Sequence, residues 1–100
     1  MKYLGLILTV LLFIGTKVTA DAGKDQTVSS TTERVQLHGK ASHSFAWTEI
    51  IGPPAVIFGD HQLNPWVQLS IDGEYWFMLV VSDGQTIATS TVHIRKGKQA

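Results

Sequence analysis

Hydrophobic positions along this chain follow two different rules. From Leu4 to Ile14 (LGLILTVLLFI) they are nearly continuous, interrupted by Gly5 and Thr9. From Asp21 onward they come in short runs that alternate with polar residues and are separated by Gly, Pro, Asp and Asn. Period-two alternation predicts strands whose successive side chains face opposite sides of a sheet. No stretch longer than a few residues repeats at helical spacing. The predicted strands cover Ala22–Val28 (an irregular edge), Arg34–Gly39, Phe45–Ile51, Ala55–Phe58, Pro65–Ser70, Gly73–Ser82 and Gln85–Arg95. Gly52-Pro53-Pro54 must interrupt the third, because proline cannot donate to a ladder. Asp83-Gly84 predicts a two-residue hairpin turn between the last two runs. About seven short strands with turns every 8–12 residues suit a two-sheet antiparallel sandwich.

The first twenty residues belong to another category. Met1-Lys2-Tyr3 is a short basic start, the apolar run follows, and Gly15-Thr16-Lys17-Val18-Thr19-Ala20 ends in a small residue. That order is the pattern of a secretory signal peptide over residues 1–20, with cleavage expected after Ala20. A membrane-spanning helix needs about 20 apolar residues, and Lys17 ends the run too early. The expected product is one domain, residues 21–100, exported to the periplasm or the extracellular space, with no membrane insertion after cleavage.

Charge and cysteine content narrow the function. Lys2 and Lys17 leave with the leader, which takes the basic residues from 8 to 6 against 8 acidic ones, a net charge of −2 with His neutral. Nucleic-acid binding relies on clustered Lys and Arg, so no such partner is expected. Arg95-Lys96-Lys98 is the one basic cluster and reads as a solvated end. The chain contains no cysteine, which removes disulfides, thiolate ligands and a Cys nucleophile. The four histidines, at 38, 43, 61 and 93, lack zinc-ligand spacing. There is no GxSxG elbow, and Ser42-His43-Ser44 has no acid beside it. No catalytic residue, metal ligand or cofactor is expected.

Four segments in order resemble a known family. Ala22-Gly23-Lys24-Asp25-Gln26-Thr27-Val28, Val35-Gln36-Leu37-His38-Gly39-Lys40-Ala41-Ser42, Trp47-Thr48-Glu49 with Gly52-Pro53, and Gly73-Glu74-Tyr75-Trp76-Phe77 through Val81-Ser82-Asp83-Gly84 are similar to the motifs of PKD (polycystic-kidney-disease) domains. The likeness is to the variants found in bacterial surface and secreted proteins. It implies an all-β, immunoglobulin-like sandwich that makes protein or carbohydrate contacts. Many relatives carry an acidic calcium-holding loop after the second strand. Here that loop is Ser42-His43-Ser44, without Asp or Glu, so calcium is not carried over.

Register then nominates the surface. If Tyr75, Phe77, Leu79 and Val81 face the core, Trp76, Met78 and Val80 face outward. Ile50 and Ile87 on neighbouring strands join them, which gives an apolar face suited to an exported or cell-surface protein partner, self included. A carbohydrate site built on Trp66 with Gln36 and His38 is the alternative. A third reading is an accessory or inhibitor that docks on another exported protein by adding an edge strand. Trp47 is expected in the core, as on the central strand of such sandwiches.

Overall fold

The computed structural model describes residues 17–97, and every regular element in that range is a strand. In chain order they are β1 (Ala20–Asp21), β2 (Gln26–Val28), β3 (Arg34–Gln36), β4 (Lys40–Ala41), β5 (Ser44–Ile51), β6 (Ala55–Phe58), β7 (Trp66–Leu69), β8 (Gly73–Ser82) and β9 (Ile87–Lys96). A four-stranded sheet has the order β2-β9-β8-β5, a three-stranded sheet has the order β3-β7-β6, and β1 pairs with β4. All pairings are antiparallel except β2 with β9. This is the expected all-β sandwich. Most of the expected signal peptide, residues 1–16, lies outside the described residues.

Of the opening strand expected over Ala22–Val28 only Gln26–Val28 is regular, as β2, and β1 precedes it at Ala20–Asp21. Asp21 Oδ1 accepts from Gly23 N at 2.8 Å and Ala22 N donates to Ser90 Oγ at 2.9 Å. Gly23 adopts φ 86, which glycine allows without a Cβ penalty. The chain therefore starts beside β4 and crosses to β9. The predicted strand at Arg34–Gly39 ends early, as β3 at Gln36, and β4 follows beyond it. Leu37 N and Gly39 N still bond outward, to Pro65 O and Leu63 O. Gly39 is required by space, since a Cβ there would lie 2.7 Å from Trp47 Cζ2 and 3.0 Å from Leu63 O.

The core fills from both sheets. Tyr75, Phe77, Leu79 and Val81 of β8 are fully buried, alternating with half-buried Trp76, Met78 and Val80. Val92 and Ile94 of β9 join them, opposed by Val35, Leu37, Val67 and Leu69. Trp47 is 3% exposed, as expected of a core tryptophan. The inward row of β9 ends in Lys96, buried at 6%, whose Nζ donates to Leu69 O. Lys96 is therefore not part of a solvated basic end, because its position in the pleat turns it inward and a main-chain carbonyl receives its charge. Lys98 lies outside the described residues.

Tyr75 secures the start of β8 by donating its hydroxyl to Ile71 O, in the manner of the tyrosine corner of immunoglobulin-like sandwiches. Burial pushes the phenol above its ordinary value of 10.0. The nearby Glu49 and Asp72 charges add to that shift. The unfolded chain ionises first, so this stabilisation is complete below pH 10 and is lost as pH rises through the raised folded value. Tyr75→Phe is expected to lower stability by about 1 kcal/mol and to flatten that alkaline loss. Urea titrations at neutral and alkaline pH would measure both effects.

The β8–β9 hairpin differs from the two-residue turn expected. Ser82 pairs with Ile87, so four residues form the loop. Asp83 Oδ1 accepts from Gln85 N at 2.9 Å and from Thr86 N at 2.8 Å, and a type of Asx turn replaces the tighter one. The Thr86 and Gln85 amides hold this carboxyl below its ordinary 3.8. Its contribution is present above pH 3.8 and is lost as pH falls through the lowered folded value. In an acid titration followed by NMR, the Gln85 and Thr86 amide signals should move together as Asp83 protonates.

Candidate functional site: two outward sheet faces

The outward face of the larger sheet is built from rows that cross three strands. Ala46, Val80 and Thr89 form one row, Thr48, Met78 and Thr91 the next, and Ile51, Trp76 and His93 the third. The outward positions of β8 thus carry Trp, Met and Val, where Thr, Ser or Lys would ordinarily meet water. Flanking Thr48, Thr89 and Thr91 are exposed, and their methyl groups add apolar surface beside hydroxyls. Ile87 lies at the hairpin end of the face, 67% exposed.

Two details differ from the register argument. The ladder shifts between Glu49 and Ile51, so Ile51 rather than Ile50 sits opposite Trp76. Glu49 Oε1 accepts from Ala55 N at 3.0 Å across the Gly52-Pro53-Pro54 turn, and the strand accommodates that closure with a bulge. Ile50 and Ile51 both stay exposed, at 42% and 58%. Second, Trp76 is half-buried because the His93 ring stacks on it, with centroids 4.2 Å apart and planes 19° from parallel. His93 Nε2 lies 3.0 Å from Glu74 Oε1, close enough to form an ion pair when protonated but not aligned as a hydrogen bond. Arg95 Nη2 reaches the same oxygen at 3.2 Å. Charged Glu74 and Arg95 thus border the apolar rows at one end.

The smaller sheet presents a second, more aromatic face. Trp66 is 46% exposed, between its ladder partners Gln36 on β3 and Phe58 on β6. Phe58 is 42% exposed, and the Arg34 guanidinium lies 4.6 Å from its ring centre. The structure therefore joins Trp66 to Gln36 as expected. The Gln36 amide is turned toward the adjacent loop, donating to Asn64 O at 3.2 Å. His38 does not share their ladder. It lies beyond the end of β3 and lines a cleft with Asp21, Gly23, Lys24, Gln26 and Lys40, because the strand breaks before Gly39. Phe58 was not legible in the sequence: Ala55-Val56-Ile57-Phe58 is apolar throughout, so no alternation says which side faces out.

Among the described residues no group of three or more His, Cys, Asp or Glu could hold a metal ion. Ser42 Oγ lies 2.6 Å from His43 Nδ1, but the same hydroxyl accepts from Thr19 N at 2.8 Å. Its geometry serves to clip one chain segment to another.

No curated protein matches the chain in sequence. Solved structures do match its fold. The PKD domain from KIAA 1837 protein superposes with a TM-score of 0.68 at 22% identity, covering 86% of this chain and 94% of that one. The PKD domain of human KIAA0319 gives 0.68 at 17% identity, covering 83% and 85%. A nucleoside hydrolase-related protein from Saccharophagus degradans, associated with carbohydrate metabolism, gives 0.59 at 14%, covering 79% of this chain and 25% of that one. The sequence profile of the K319L-like PKD domain family matches residues 22–95, and the chain belongs to that family.

Proposed function

We propose that this domain is an exported, non-catalytic contact module that binds a protein partner through the β5-β8-β9 face. One observation carries this reading: the outward positions Trp76, Met78 and Val80 of β8 are all apolar, with exposed Ile51 opposite Trp76 and exposed Ile87 opposite Ser82 at the hairpin end. A surface carried on paired strands loses little entropy when it docks, and tryptophan is among the residue types most enriched among binding hot spots. Glu74 and Arg95 at one end supply a polar rim. PKD domains are modules commonly used for protein–protein interaction and are typically extracellular or at the cell surface, which supports the reading. No helix among the described residues is long and apolar enough to cross a membrane.

The partner is an exported or cell-surface protein, and a second copy of the chain is the simplest case. Sedimentation equilibrium of the wild type and Trp76→Ser over a range of concentrations tests it. A dimer that dissociates on dilution and is lost in the variant supports the face. A dimer indifferent to Trp76→Ser places the contact elsewhere, and a monomer throughout removes self-association and leaves a different protein as partner.

The adjacent exposed rings of Trp66 and Phe58 favour a second reading, in which the smaller sheet stacks on a sugar ring. Glycan binding lost in Trp66→Ser and retained in Trp76→Ser would establish it.

A further inference from the structure

Residues 17–21 are packed into the sandwich. Val18 is 9% exposed and belongs to the core cluster, and Ala20 packs against that cluster. Ala20 and Asp21 pair with Ala41 and Lys40. Thr19 N donates to Ser42 Oγ at 2.8 Å, and Ser42 N donates back to Thr19 O at 3.2 Å. The segment is thus the first strand of the sandwich, held by a ladder, a side-chain clip and a buried apolar residue.

A cut after Ala20 would divide β1 between its two residues. It would remove Val18 from the core and strip Ala41 and Ser42 of their partners Ala20 and Thr19. An uncovered edge of this kind invites pairing with other chains, and a domain without cysteine has no disulfide to compensate for the loss. We infer that the mature protein retains β1, so that its N-terminus lies at or before Lys17 rather than at Asp21. Only Gly15, Thr16 and Lys17 separate the apolar run ending at Ile14 from Val18. Any processing must therefore fall in or before that short spacer. The leader's small-residue end, Val18-Thr19-Ala20, serves as strand sequence. This inference is independent of which sheet face meets the partner.

The test is the intact mass of the protein recovered from the exported fraction of cells producing the full chain. A first residue at or before Lys17 is expected, and Asp21 as first residue overturns the inference. Val18→Ser in the full chain supplies a second measurement, because it leaves the spacer unchanged. A melting temperature lower by several degrees is expected for a domain of this size, with faster amide exchange at Ser42, whose N–H donates to Thr19 O. A variant as stable and as protected as the wild type also overturns it.

Discussion

Phe77→Ala is expected to remove about 3–5 kcal/mol of stability, the usual cost of emptying an aromatic core position. Phe77 is fully buried near the middle of β8, opposite Glu49 and Val92, with the Tyr75 ring stacked 6.4 Å away. At about 0.05–0.15 kcal/mol per residue, an 80-residue domain has only some 4–12 kcal/mol in total. The variant should therefore unfold in much lower urea, or fail to fold at 37 °C. The same measurement tests register. A one-residue slip of β8 would put Phe77 outside and Trp76 inside, and Phe77→Ala would then cost well under 1 kcal/mol.

Trp76→Ser is expected to do the reverse, a modest change in the fold and a large one in binding. Trp76 is half-buried and loses its His93 stack, which costs about 1 kcal/mol of stability. A hot-spot tryptophan is worth about 2 kcal/mol or more, so affinity for the partner should fall roughly 30-fold or more. Trp66→Ser, on the opposite face, should leave that affinity unchanged. Binding isotherms on variants first shown to be folded would check both. Equal losses in the two variants would point to a general loosening of the sandwich.

The strands that carry the proposed site were legible as strands, but polarity did not mark their faces, because β8 is apolar from Tyr75 to Val81. The resemblance to the PKD motif supplied the register instead: it implies that Tyr75, Phe77, Leu79 and Val81 face inward, which turns Trp76, Met78 and Val80 outward together. What the sequence hid depends on contacts between distant residues. β1 is written in the small residues that also end a leader, and only Ser42, Lys40 and Ala41, some twenty positions on, make it a strand. The bulge that exchanges Ile50 for Ile51 follows from Glu49 reaching the Ala55 amide. Lys96 resembles a tail residue until the inward row of β9 and the Leu69 carbonyl claim it. Phe58 lies in a run with no polar residue to mark a side, so its pairing with Trp66 emerged only from the β6–β7 ladder.

The most direct test of the contact surface is site-specific photo-crosslinking in cells that produce and export the full chain. One probe would replace Thr91, exposed beside Met78 on the larger sheet, and another Val56, 54% exposed on the smaller one. The account predicts a discrete higher-mass adduct from the Thr91 probe and none from the Val56 probe. An adduct from Val56 alone would contradict it and move the contact to the face of Trp66 and Phe58.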